Sequence, residues 1–226
     1  MALTFDVVSI GCLSHNRFWG EQGPLRSAHA TTTLIRDGDQ TILVDPSLPA
    51  EALVHRLSER TGLKPDQVNR VFLTSFQPVH RRGLALFDQA EWLMHGPEIE
   101  AFREHLLGVL QSQGESEPEQ AGLVREELSL LERIRPAPDK LSSRVDLFPA
   151  PGVTPGSCCL LLVPATMTVA IAGDVVVNRD YLEHGRAYER CHDAERAAES
   201  LAEIIEIADQ IVCGHDNLVV CRGRSM

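Results

Sequence analysis

Residues 71–83 read Val-Phe-Leu-Thr-Ser-Phe-Gln-Pro-Val-His-Arg-Arg-Gly, and the reading of the fold turns on this stretch. Val71, Phe72 and Leu73 form an apolar run that ends at Thr74, the pattern of a buried β-strand. A short polar segment, Ser75 to Val79, carries the chain to His80. A buried strand that opens into a short loop is where α/β proteins place their chemistry.

Working outward, the preceding chain reads as β structure. Leu3–Cys12 is rich in Val and Ile and predicts a strand. Ala30–Arg36 and Gln40–Asp45 flank Asp37-Gly38-Asp39, the clearest hairpin signal in the chain. Pro49–Thr61 has a helical period and stops at Gly62. Downstream, Glu91–His95 predicts a short strand. Pro97–Ser112 predicts an amphipathic helix with Pro at its first position. The acidic segment Gln113–Glu119 is expected to be a loop or internal linker, and Leu123–Ile134 a further helix.

Arg144–Pro149, Cys158–Val163 and Met167–Ala172 predict strands, Val175–Arg190 mostly loop and His192–Ala208 a helix. Asp209–Cys213 predicts a last buried strand before Gly214-His215-Asp216. This order predicts an α/β protein built as a four-layer αββα sandwich of two mixed β-sheets, in one domain spanning residues 1–226. The hairpins argue against a doubly wound parallel sheet, and no GxGxxG or GxxxxGK[ST] fingerprint occurs.

Five landmarks line up along this order. They are Asp45 in ILVDPS, the TSFQPVH segment, the APGVTPGS loop, Asp174 in AIAGDV and His215 in IVCGHD. Together they resemble the metallo-β-lactamase superfamily of two-sheet metallohydrolases. That resemblance implies hydrolysis of an ester, thioester, amide or phosphodiester by metal-activated water.

The chain departs from the family pattern at specific places. The family's first motif is Thr-His-x-His-x-Asp-His. Here Ser75 and Gln77 stand in place of two histidines and Val79 in place of the aspartate, while His80 is kept. In the Pro-Gly-His-Thr loop, Val153 replaces the histidine. The resemblance assigns the missing histidines to a first metal, so that position is expected to be empty. It assigns His80, Asp174 and His215 to a second. Two imidazoles and a carboxylate suit one zinc with an open position, or a non-haem Fe(II) facial triad.

Three readings follow. In the first, the binuclear site is degraded, no metal is bound, and the old cleft holds a small ligand or a protein partner without hydrolysis. In that pseudoenzyme, Arg81 or Arg82 is expected to reach Asp174 and neutralise it, because an unpaired buried charge is too costly. The second is a mononuclear metalloenzyme using one Zn or Fe ion on His80, Asp174 and His215, with Ser75, Gln77, Arg81, Arg82, Val153 and Asp45 around the cleft. The third is a structural, assembling subunit, with homo-oligomer formation. Enzyme and non-enzyme both stay open on the residues alone. Asp45 is expected either to orient one of the histidines or to cap its loop. Cys213 and Asp216, beside His215, are expected to be a packed side chain and a loop acid.

Composition narrows the partners. The 226-residue chain carries a net charge of −11, which disfavours nucleic acid, because phosphate binding needs a basic face. The apolar runs are of strand length, so no membrane span is expected. Six cysteines lack CxxC spacing, and the N-terminus lacks a basic n-region, so a cytoplasmic location with reduced thiols is expected.

Overall fold

The computed structural model describes residues 2–113, 118–164 and 166–221. The first half of the chain supplies β1 (Thr4–Ser9), β2 (Thr32–Asp37), β3 (Gln40–Val44), α1 (Ala50–Thr61), β4 (Arg70–Leu73), α2 (Pro78–Arg81), β5 (Glu91–Met94) and α3 (Gly96–Gln113). The second supplies α4 (Pro118–Glu132), β6 (Arg135–Pro136), β7 (Lys140–Ser142), β8 (Val145–Pro149), β9 (Cys158–Leu162), β10 (Val169–Ile171), α5 (Arg179–Glu183), α6 (Ala194–Ile207), β11 (Gln210–Val212) and β12 (Leu218–Val220).

These strands form two six-stranded sheets, ordered β1-β2-β3-β4-β5-β6 and β12-β11-β10-β9-β8-β7. Both are mixed. In the first, β1, β2 and β3 pair antiparallel, and β3 through β6 pair parallel. In the second, only β10 and β11 pair in parallel.

Period-2 alternation sorts the side chains into layers. Ile35, Ile42, Val44, Phe72 and Leu93 of the first sheet meet Leu160, Leu162, Ile171 and Val212 of the second. The alternate residues Leu34, Leu43, Val71 and Leu73 face α1 through Leu53 and Leu57. On the far side, Ala170 and Ile211 pack on Leu201 and Ile204 of α6. Cys158 and Cys159 divide in the same way, one between the sheets and one under α6. The αββα sandwich expected from the sequence is the architecture found.

Local signals explain most element ends. Gly62 closes α1 at φ 71°, where the left-handed region favours glycine. Asp193 caps α6 by accepting from the N–H groups of Glu195 and Arg196. The 175–190 stretch is mostly loop, with one short helix, α5, that Asn178 caps by accepting from Tyr181 N–H. Several expectations need correction. The expected 113–119 linker gives way at Pro118, which opens α4, while residues 114–117 lie outside the described residues. His80 lies in α2, a single helical turn begun by Pro78. β6, β7 and β12 have only two or three residues each and no hydrophobic period long enough to read.

At one margin the sheets are clasped by Asp37. Its carboxylate accepts from Ser142 (2.7 Å), Ser143 (3.1 Å) and the backbone and guanidinium of Arg144. Burial opposes its charge, yet Ser142, Arg144 and Ser143 together hold its carboxyl below the usual range. The opposite margin, where β3, β4, β10 and β11 end, carries the five landmark segments.

Candidate metal centre

Four strand ends deliver the site. β3 ends one residue before Asp45, and β4 ends before Thr74 and the turn that carries His80. β10 is followed by a 3₁₀ turn holding Asp174, and β11 by His215. The segments approach very closely. A Cβ placed on Gly173 would lie 2.5 Å from Thr74 Oγ1, and Gly173 itself has φ 51°. Only glycine allows both the turn and the contact.

Asp45 is the orienting residue. Its backbone is left-handed at φ 49°, an uncommon conformation that Asp and Asn tolerate best. From there Oδ1 accepts from Thr74 N–H (2.9 Å) and Oδ2 accepts from Thr74 Oγ1 (2.6 Å). Oδ2 also lies 3.1 Å from His80 Nδ1. A carboxylate oxygen accepts, so Nδ1 of His80 donates to Asp45, and this turns Nε2 toward Asp174.

His215 is fixed from the other side. Its Nδ1 lies 2.9 Å from the carbonyl of His29 and 3.2 Å from that of Cys12, so this nitrogen also donates. Both Nε2 atoms then turn to Asp174. His80 Nε2 is 3.3 Å from Oδ2, and His215 Nε2 is 3.0 Å from Oδ1. His80, Asp174 and His215 are at most 7% exposed.

Charge is concentrated here. Burial works against a proton on His80, but Asp174 and Asp45 hold its pKa well above the ordinary histidine value. Burial likewise opposes charge on Asp174, yet His80 and His215 hold its carboxyl well below the carboxylate range. The carboxylates of Asp174 and Asp45 favour positive charge between them, carried by a proton on His80 or by an ion in its place.

The three side chains fit one small ion. One ligand atom from each lies within 4.8 Å of the others. Asp174 Oδ1 has no hydrogen-bond partner among the described residues, although His215 Nε2 is 3.0 Å away. The two atoms are close without being aligned as donor and acceptor. Zinc bonds of about 2.0–2.1 Å place tetrahedral ligands roughly 3.3 Å apart, near the spacings seen here. The residues at the first-metal positions do not fit a metal. Val153 has no ligand atom, Ser75 is a poor ligand, and Gln77 is a neutral amide.

The arginines do not do what the sequence led us to expect. Arg81 points away from Asp174: its Nε donates to the Phe76 carbonyl (2.6 Å) and its guanidinium pairs with Glu127 of α4. It also lies 4.0 Å over the Phe76 ring. Arg82 is exposed. The counter-charges of Asp174 are the two histidines. Ser75 and Val153 are buried and Gln77 is half-buried, its N–H 3.4 Å from Ser75 Oγ. Cys213 packs under α6 with its thiol pKa raised by burial, as a packed side chain should. Asp216 accepts from the N–H groups of Arg179 and Asn217, as a loop acid.

Sequence reasoning missed two residues. Tyr188 is half-buried and close enough to Asp174 for that charge, after burial, to raise its phenol pKa. Glu98, near the start of α3, is fully buried and bonded to Thr154. Its only local signal was an acid in a first helical turn, which ordinarily reads as a dipole partner at the surface.

Comparison with known proteins agrees with this geometry. The family model for the metallo-beta-lactamase superfamily matches residues 28–215. No curated protein matches significantly. Among solved structures, a metallo-beta-lactamase-type protein from Thermotoga maritima superposes with TM-score 0.69 at 17% identity, covering 97% of this chain and all of the other. The dizinc quorum-quenching lactonase AidC superposes with TM-score 0.67 at 15% identity, covering 84% of this chain and 74% of its own. AiiA from B. thuringiensis, solved with N-decanoyl-L-homoserine at its active site, gives 0.66 at 19% identity, covering 96% and 94%. At these identities the structural likeness speaks for the fold alone, whereas the family match spans most of the sequence. The chain belongs to the metallo-beta-lactamase superfamily.

Proposed function

We propose that this protein is a single-ion member of the superfamily, holding one zinc or ferrous ion on His80, Asp174 and His215 and hydrolysing a small ester-like substrate. The observation that carries this reading is the anchoring of both imidazoles through Nδ1, to Asp45 and to the His29 and Cys12 carbonyls. That leaves both Nε2 atoms converging on the Asp174 carboxylate, whose Oδ1 accepts no aligned hydrogen bond among the described residues. Carboxylate-held and carbonyl-held histidines are the usual support of a metal site. Lactonase activity among fold relatives makes a lactone or similar carbonyl compound the first substrate class to test.

When bound, the ion supplies Lewis acidity toward a carbonyl oxygen and lowers the pKa of water. The chain's own residues do the rest. Asp45 keeps the His80 tautomer fixed, and Asp174 contributes the negative charge that offsets the ion. The three ligands are nearly excluded from solvent, so interactions within the site act at low local dielectric. A net charge of −11 leaves nucleic acid a poor partner and favours a small molecule. No helix among the described residues is long and apolar enough to cross a membrane.

A second reading, metal-free ligand binding without hydrolysis, draws on His80. A proton held between Asp45 and Asp174 can stand where the ion would. Metal content decides between them. Protein reconstituted with zinc or Fe(II) and then dialysed is expected to retain one ion per chain, and the His80→Ala variant none. Wild-type protein that retains no ion after reconstitution refutes the first reading.

A further inference from the structure

Glu98 is fully buried. Its Oε2 accepts from Thr154 Oγ1 (2.6 Å) and from Gly156 N–H (3.2 Å), while Oε1 has no hydrogen-bond partner among the described residues. It forms no ion pair among them. The Ser75 hydroxyl lies beside the same carboxyl. Ser75 and Val153 hold two of the three positions where the family pattern has first-metal histidines, and Thr154 adjoins Val153. The contact is built in tightly. A Cβ on Gly156 would fall 2.0 Å from Glu98 N, so only glycine lets this loop lie against the start of α3. His95, just before α3, bonds the Gly156 carbonyl at 2.8 Å.

An ionised carboxylate with one oxygen unpartnered and no counter-ion is a costly thing to bury. A carboxylic acid in the same place carries no charge to bury, and its Oε2 keeps its two donors while Ser75 lies beside it. We propose that Glu98 is the positioning residue of this site, held as a neutral acid that ties the 74–80 segment to the 151–157 loop. In the family pattern the histidines at positions 75, 77 and 153 make that tie through the first metal. Here a proton replaces the ion, so the tie goes beyond the single-ion reading and does not depend on it. The groups facing Glu98 are Ser75 and His80 from the motif segment, Thr154 from the loop and Cys158 from β9.

Burial raises the pKa of Glu98, with Thr154, Ser75, Gly156 and His80 acting in the opposite sense. A raised folded value means its contribution to stability is complete below the unfolded value of about 4.3 and declines as pH climbs through the folded value. Glutamine keeps an oxygen to accept from Thr154 and Gly156 and cannot ionise. The test is melting temperature from pH 5 to pH 9 in EDTA, so that no ion contributes, for wild type, Glu98→Gln and Glu98→Ala. The glutamine variant is expected to lie nearest wild type at pH 5 and to gain on it as pH rises through the folded value, while alanine is lower than glutamine throughout. Isotope-edited infrared spectra at pH 6 are expected to show a protonated-carboxyl C=O band in wild type that Glu98→Gln removes. A gap that stays flat with pH or turns against glutamine overturns the proposal, as does the absence of that band.

Discussion

Asp45→Asn separates the geometry of the site from its ligands. Asparagine is nearly isosteric and tolerates the φ 49° backbone, so the fold should persist. Its amide oxygen can still accept from Thr74 N–H, as Oδ1 does now at 2.9 Å. The group that replaces Oδ2 is an NH₂, which meets His80 Nδ1 at a spacing of 3.1 Å. Two donors cannot share that contact, so His80 adopts the other tautomer. Its proton then sits on Nε2, which points at Asp174, 3.3 Å away. An imidazole protonated on Nε2 cannot ligate through that atom. Loss of a carboxylate behind a ligating histidine typically costs 10–100-fold in metal affinity, about 1.4–2.7 kcal/mol. Zinc competition against a chelator of known affinity, at fixed pH, should therefore show a dissociation constant raised by about one to two orders of magnitude. Stoichiometry should stay at one ion per chain. The reasoning fails if Asp45→Asn binds zinc as tightly as wild type while His80→Ala does not.

Other perturbations have equally definite outcomes. Asp174→Asn keeps the shape but removes the charge facing both histidines, and is expected to abolish ion retention and any ester or lactone turnover, read by metal analysis and a chromogenic ester. Arg81→Met breaks the contacts to Glu127 and the Phe76 carbonyl; denaturant unfolding should show a loss of about 1–3 kcal/mol. Zinc affinity should be unchanged in Arg81→Met, because Arg81 does not reach Asp174. Asp37→Asn should cost about 2–3 kcal/mol at pH 7, discounted for the partly exposed Arg144. Its carboxyl pKa is lowered by folding, so that stability is present above about pH 3.9 and lost as pH falls through the folded value. The two melting curves should converge in acid.

The sandwich was legible because its signals are local and repeated. The Asp37-Gly38 turn sets a hairpin, alternation in CCLLLV sorts two faces, and five strand-end landmarks fall in one order. The cluster was legible for a related reason, since His80, Asp174 and His215 each follow a readable strand. Legibility ended where a side chain's direction depended on distant partners. Arg81 directly follows His80, yet a helical turn swings it about 100° around the axis, toward α4 and Glu127. Glu98 looks like any acid after Pro97. Its burial comes from the 151–157 loop more than 50 residues later, and no local pattern encodes it.

The double anchor of His215 has a consequence for reading mutants. Cys12 and His29 bridge to each other through their backbones and close the neck of the 13–28 loop. The Nδ1 proton of His215 sits across that closure, bonded to both carbonyls. One ring therefore joins the candidate ion site to the closure of a 16-residue loop. Replacing it with alanine removes a ligand and unlatches the loop in a single step, so a dead His215→Ala variant does not separate the two. Replacing His80, whose anchor is Asp45, leaves the neck intact, and protease sensitivity within residues 13–28 tells the two lesions apart.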